Sequence, residues 1–253
     1  MSEEMILGVH AIQSMLTHEP HRILRLWIAD NSTRIQPILA LAAKHSIPIE
    51  KVKKEKIEVI VDSAKASQGI VAWVRAKAPW DEQALYAAVS EWMDQNQKVL
   101  LLILDNVQDP HNLGACFRSA DAFGVNAVIV PRSNSAKLTP VVRKVASGAA
   151  DTLPFVVVGN LGRTLEILKD LGIWTVGLAG EADGPLHKAA LKRPCALVLG
   201  AEGEGMRSRT RQLCDELASI PLQGTVDSLN VSVATGVALY EVFCQRNVGG
   251  KYA

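Results

Sequence analysis

Ala196-Leu197-Val198-Leu199-Gly200-Ala201-Glu202-Gly203-Glu204-Gly205 joins an unbroken apolar run to a turn with three glycines in six residues. Such a run, bounded by glycine, predicts a buried strand that ends in a sharp turn with bare backbone facing whatever sits there. Downstream, a shorter apolar stretch from Glu216 to Ile220 ends on Pro221, and a polar loop leads into a long apolar helix from Ser232 to Phe243. Ser228, Asn230 and Ser232 stand at its start as capping residues. Two neighbouring strand ends therefore present backbone and small polar groups to one crevice.

Working back from that crevice, the strands Val99–Leu104, Ala127–Val130, Phe155–Val158 and Ile173–Ala179 are apolar on both faces. They alternate with helices from Leu113 to Phe123, Pro140 to Ser147 and Leu161 to Leu171, the first and last closed by Gly124 and Gly172. This pattern predicts a parallel sheet covered on both sides, whose ligands gather beyond the carboxyl ends of the strands. Residues 98–253 form this larger α/β domain. Ahead of it, a helix from Gly8 to Leu16, a strand Ile23–Ile28 and a helix from Arg34 to Lys44 are expected. A strand from Ile47 to Val52, a helix from Lys53 to Val61 and a strand Ile70–Val74 complete a small α/β unit over residues 1–77. Pro79 and an amphipathic helix from Asp81 to Asp94, with Leu85, Ala88, Val89 and Trp92 on one face, make 78–97 the expected linker.

Nearly half the 253 residues are apolar and 21% charged, as in a soluble globular protein. No apolar run is long enough to span a bilayer and no leader precedes the first helix, so a cytoplasmic protein with no membrane partner is expected. Cys116, Cys195, Cys214 and Cys244 are isolated, with no C-x-x-C spacing, so neither a metal nor a disulfide framework is expected. Residues 1–80 carry 11 basic against 8 acidic side chains, and the densest basic stretch is Lys51-Val52-Lys53-Lys54-Glu55-Lys56. An excess this small is equally compatible with a polyanion partner and with an ordinary solvated surface.

P-loop, esterase and zincin motifs are absent, and the glycines of Gly200-x-x-Gly203-x-Gly205 run in the reverse order to a dinucleotide fingerprint. What carries weight is three segments together: DNVQDPHNLGACFRSAD at 105–121, LGAEGEGM at 199–206 and IPLQGTVDSLNVS at 220–232. In this order they resemble the signature motifs of the SpoU (TrmH) branch of the SPOUT RNA ribose 2′-O-methyltransferases, over residues 98–246. Gly8-Val9-His10-Ala11 and Ser67-Gln68-Gly69-Ile70 are similar to the opening and closing segments of the ribosomal-protein-like RNA-binding domain that some members carry. The resemblance implies a C-terminal segment threaded into a deep trefoil knot and a homodimer packed around the C-terminal helix. It also implies S-adenosylmethionine as methyl donor and a guanosine ribose of 23S rRNA as acceptor. A transfer RNA ribose methyltransferase and a catalytically inactive RNA-binding homologue are the alternatives.

The same resemblance places the cofactor against Gly200, Ile220 and Leu229, and the reaction on Asn112, Arg118, Glu202, Ser228 and Asn230. Arg118 either takes the 2′-hydroxyl proton or stays charged and grips a neighbouring phosphate. Lowering a guanidinium to pH 7 would cost on the order of 7 kcal/mol, whereas gripping a phosphate costs nothing comparable. Asn112 is expected to cap the helix bearing Arg118, and Glu202 to orient Arg118 by a charge-assisted hydrogen bond. Ser228 and Asn230 are either caps or substrate contacts, and His111 is a turn residue. Lys51, Lys53, Lys54 and Lys56, with Arg22, Arg25 and Arg75, are the cations expected to meet RNA phosphates.

Overall fold

The computed structural model describes residues 3–29, 33–60, 68–75 and 78–247. Val61 and Ser67, named above as a helix end and part of a closing segment, and residue 77, the end of the first unit's expected range, lie outside them. The chain divides into two compact units: the residues through Ala78 with Leu138–Thr152, and Pro79–Lys137 with the residues from Leu153 on.

The first unit holds a four-stranded sheet in the order β1-β4-β2-β3, built from β1 (Glu3–Leu7), β2 (Ile23–Ile28), β3 (Ile49–Lys51) and β4 (Ile70–Arg75). β3 runs parallel to β2, and β4 is antiparallel to both β1 and β2. Ile6, Leu26, Ala72 and Val74 pack with Ile12, Met15 and Leu16 of the Val9–His18 helix and Ile38 and Ala42 of the Gln36–Lys44 helix. β1 has no counterpart in the sequence reading: Glu3-Glu4 opens it, and only three apolar residues follow, as suits an edge strand. Residues 138–152 also belong here rather than with the larger domain. Buried Arg143 pairs with Asp151 and reaches the Glu4 carboxylate at 2.7 Å.

Arg22, Arg25 and Lys56, among the cations expected to meet RNA, are otherwise engaged. Arg22 is buried, pairs with Glu19 and donates through Nε and Nη2 to the Arg75 carbonyl at 3.1 and 3.0 Å, so no phosphate reaches it. Arg25 bonds Glu3 at 3.0 Å and lies 4.8 Å over the Trp73 ring, while Lys56 lies 4.2 Å over Trp27 and bonds Glu50 at 3.1 Å. These are exposed pairs that exchange readily with another anion. Lys51 and Lys53 are exposed.

The second unit is a six-stranded, wholly parallel sheet in the order β10-β8-β9-β5-β6-β7. Its strands are β5 (Leu100–Asp105), β6 (Ala127–Pro131), β7 (Phe155–Val158), β8 (Trp174–Leu178), β9 (Cys195–Gly200) and β10 (Glu216–Ala218). Leu101, Ile103, Ile129, Val156 and Val198 face the Glu82–Asp94 and Leu161–Asp170 helices. The opposite face takes the Pro110–Ala122 and Val231–Asn247 helices, which also pack on each other. The strands read as continuous apolar runs because both faces are covered. The helix expected as a linker is one of these covering elements. Leu85 and Val89 are fully buried, and Trp80 pairs its backbone with Phe155 and Val157 at the β7 edge.

Candidate active site

β9 lies at the middle of the sheet beside β5, with Gly200 in register with Asp105. After Gly200 the chain makes a closed hairpin in which Ala201 and Gly205 exchange both backbone hydrogen bonds, at 3.1 and 2.9 Å. Gly203 and Gly205 take φ of +83° and +68°, which L side chains rarely adopt. The hairpin folds back over Gly200 so closely that a Cβ there would stand 1.9 Å from the Gly205 carbonyl carbon and 2.0 Å from the Met206 nitrogen. Only glycine fits. Asp105, fully buried at the end of β5, then fixes the returning chain. One carboxylate oxygen accepts from the Arg207 backbone N–H at 3.0 Å, and the other from Nε at 2.8 Å and Nη2 at 2.7 Å.

The second strand end arrives from β10. Ser219 bonds the Gly184 carbonyl at 2.8 Å and accepts from Leu186 N–H at 2.8 Å, which carries Ile220 onward against the loop that follows β8. The Val231–Asn247 helix begins at Asn230, whose side chain joins all three sequence segments. Its Oδ1 accepts from Ser232 N–H at 3.0 Å and from the Ser232 hydroxyl at 2.6 Å, which caps the helix. Its Nδ2 donates to Asn112 Oδ1 and to Glu202 Oε2, both at 3.0 Å.

Between these parts lies a cavity of about 450 Å³. Leu178, Leu199, Met206, Ile220, Leu222 and Leu229 give it apolar walls, and Gly200 opens it to the backbone. Its charged lining is Glu181, Glu202, Glu204 and Asp227 against Arg211, which pairs with Glu181. That surplus of carboxylates favours an organic cation and disfavours a polyphosphate. Among the described residues no cluster of His, Cys, Asp and Glu is arranged to hold a metal ion.

Of the residues singled out from sequence, Gly200, Glu202, Ile220, Ser228 and Leu229 line the cavity. Asn112 and Asn230 adjoin it through the Glu202 hydrogen bond. Two expectations change. The cap of the helix bearing Arg118 is Asp109, which accepts from His111 N–H at 3.0 Å; Asn112 sits in the first turn instead. Pro110, with its fixed φ, starts that helix three residues before Leu113. Glu202 bonds Asn230 rather than Arg118, and Arg118 is exposed, with no ion pair among the described residues and no place in the cavity lining. Arg118 stands six residues beyond Asn112, about 9 Å further along the helix.

Asp105 and Arg207 were missed. The one available signal is an acid closing an otherwise apolar strand; the partner lies 102 residues away. Gly177 was missed as well: a Cβ there would lie 2.9 Å from Met206 Cε, Cys214 Sγ and Leu217 Cδ2, so its bareness lets Met206 seat below the hairpin.

A parallel α/β domain with a glycine-floored, carboxylate-lined cavity at its strand ends, preceded by a smaller α/β domain, is the design of a cofactor-using enzyme with a separate substrate-binding module. The chain belongs to the SpoU rRNA Methylase family, whose model matches residues 99–240. A second model, for RNA 2′-O ribose methyltransferase substrate binding, matches residues 5–80. The 23S rRNA (guanosine-2′-O-)-methyltransferase RlmB of Pseudomonas putida is 47% identical over 97% of this chain and 98% of its own length. That of Pseudomonas aeruginosa is 49% identical over 96% and 97%. Among solved structures, the AdoMet complex of the SpoU methyltransferase AviRb from Streptomyces viridochromogenes superposes with a TM-score of 0.78 at 24% identity. It covers 98% of this chain and 92% of that one, a likeness of fold.

Proposed function

We propose that this protein transfers the methyl group of S-adenosylmethionine to the 2′-hydroxyl of a guanosine ribose in 23S rRNA. The observation that carries the reading is the junction at Asn230, where the three sequence segments meet beside one cavity. Relatives named for this reaction align over nearly the whole chain. The cavity fits the donor: the Gly200 backbone and the apolar surfaces of Ile220 and Leu229 line it, and the carboxylate surplus suits a sulfonium and an ammonium. When bound, the donor supplies an electrophilic methyl group on a cationic sulfur.

The protein's own work is positioning. Asp105 holds the hairpin closed over Gly200, and Asn230 holds Glu202 and Asn112 at a fixed separation. Rigid placement of two reactants at about 3 to 3.5 Å supplies much of the acceleration such a transfer needs. Ser228 lines the same cavity with its hydroxyl available to a ribose or its phosphate. Arg118 we assign to the acceptor side, charged and gripping the phosphate next to the reacting ribose, with proton removal left to solvent or phosphate.

We assign a homodimer to this chain. Val233, Val237 and Tyr240 expose apolar surface at helical spacing along the C-terminal helix. Ser119, next to Arg118, lies 3.6 Å from the Cβ position of Gly236, so the helix bearing Arg118 packs directly on the helix that carries the stripe. We also propose the trefoil threading, on the ground that the chain leaves edge strand β10 and returns across the ends of β8 and β9 to the helix packed at the middle of the sheet. Pulling the two chain ends apart would leave a tightened knot and a shortened contour length; recovery of the full length would refute threading. The bacterial cytoplasm, where 23S rRNA matures, is the location assigned, and no helix among the described residues is long and apolar enough to cross a membrane.

Mapping 2′-O-methylation in rRNA and tRNA from cells with and without the protein tests the substrate. Loss of one guanosine mark from 23S rRNA is expected. Loss confined to tRNA would overturn the rRNA assignment.

A further inference from the structure

A second cavity, of about 630 Å³, opens at the carboxyl ends of β6 and β7. Pro131 and Ser133 after β6, the turn Gly159–Gly162 after β7, and the start of the Ser208–Leu213 helix border it, and Arg163, Arg207 and Arg209 line it together with one acid, Glu166. The three guanidinium groups differ in how they are held. Arg207 is anchored through Nε and Nη2 by the fully buried Asp105 carboxylate, which fixes a cation at the cavity wall. Arg163 has no side-chain partner among the described residues. Arg209 bonds Glu166 at 3.1 Å in a pair exposed on both sides, of the kind that contributes little and opens for a better anion.

Arg207 also follows directly on Met206, which lines the donor cavity, so consecutive residues of one chain segment border the two spaces. In the strand order, β6 and β7 lie two and three places from β9, about 10 to 14 Å at the usual strand spacing. A strand carrying a ribose into the first cavity is therefore led along the same sheet edge to the second. Planar guanidinium forks match phosphate oxygens in pairs, and an open cleft lined by three of them suits a phosphodiester better than it suits a base.

We propose that this cavity is an RNA-backbone site, holding a phosphate of the strand that runs away from the acceptor ribose, with Arg163, Arg207 and Arg209 as its cations. The inference rests on the RNA methyltransferase reading and adds a contact that positions the strand without reading its sequence. Arg207 belongs to the hairpin anchor as well, so the test uses its neighbours.

Binding of R163A, R209A and the double variant to protein-free 23S rRNA and to a short fluorescein-labelled single-stranded RNA is measured between about 50 and 200 mM salt. The double variant is expected to bind both RNAs about tenfold or more weakly, with the slope of log K against log salt shallower by about 1 to 2. R163K is expected to keep most of the slope, because a lysine still neutralises a phosphate. E166Q, which frees Arg209 and removes a like charge, is expected to bind RNA more tightly. S-adenosylmethionine affinity and thermal midpoint are expected to stay at wild-type values in all five. Wild-type RNA affinity and slope in the double variant, or no gain in E166Q, would overturn the site. A wild-type protein that binds no S-adenosylmethionine and methylates no RNA would instead overturn the reading on which it rests.

Discussion

Replacing Gly200 by alanine tests how the donor cavity is built. The added Cβ would lie 1.9 Å from the Gly205 carbonyl carbon and 2.0 Å from the Met206 nitrogen, both backbone atoms. Ordinary contact begins near 3.4 Å, so the returning chain must retreat by about 1.5 Å. The hairpin has little freedom to do so, because the paired bonds between Ala201 and Gly205 and the three bonds from Arg207 to Asp105 hold both ends. Overpacking of this kind costs about 1 to 3 kcal/mol, and a displacement of about 1 Å at a reacting centre costs about a hundredfold in rate. G200A is therefore expected to remain folded with a lower thermal midpoint, to bind S-adenosylmethionine at least tenfold more weakly by calorimetry, and to lose about two orders of magnitude in kcat/KM. Gly203→Ala is the control: its Cβ meets open space and only the φ of +83° resists it, so a stability loss of about 1 to 2 kcal/mol with near-normal donor affinity is expected. Wild-type donor affinity in G200A would refute the claim that the hairpin closes on that position.

Other perturbations separate the remaining parts. Asn230→Asp keeps an oxygen to cap Ser232 N–H but sets a carboxylate against Glu202 and the Asn112 carbonyl; kcat/KM should fall about a hundredfold while the melting temperature moves only slightly, and wild-type kcat/KM in Asn230→Asp would show that the cap is all it does. Val237→Asp with Tyr240→Asp should turn a dimer into a monomer in analytical ultracentrifugation, and an unchanged sedimentation coefficient would remove the assigned interface. Burial pushes the Cys116 thiol up to about 11 and the Cys214 thiol up to about 12, so at pH 8 only about a thousandth or less of either is thiolate, against about a quarter of a free cysteine. Iodoacetamide should leave both unmodified in the folded protein up to about pH 9 and label both after denaturation; rapid labelling of native Cys116 would contradict its packing against Thr235.

The parallel sheet was legible because its strands are apolar on both faces, a pattern that survives without any knowledge of pairing. The Gly200 turn was legible for a related reason: glycine at a strand end records a backbone approach, and the approach proved to be the chain's own hairpin. Pro110 was less transparent. It reads equally as the end of a turn and as the first residue of a helix, and Asp109, which decides between them, is as common in one as in the other. β1 escaped because an edge strand needs few apolar residues. The helix over Glu82–Asp94 was found, yet its amphipathic face could not say which sheet it covers. Pairings across long separations, such as Asp105 with Arg207 and Asn230 with Glu202, leave no mark in sequence spacing, and only the fold brings them together. Arg22 shows the opposite failure: an arginine in a basic region reads as a surface cation, although here Arg75 and Glu19 consume it.

Purified protein incubated with methyl-labelled S-adenosylmethionine and protein-free 23S rRNA, followed by nuclease mapping of the product, addresses the account at its centre. Label on the ribose of one guanosine is expected, with its initial rate of appearance sharply reduced in R118A and in G200A. Label on a base, or none on rRNA from a protein that binds the donor tightly, would contradict it.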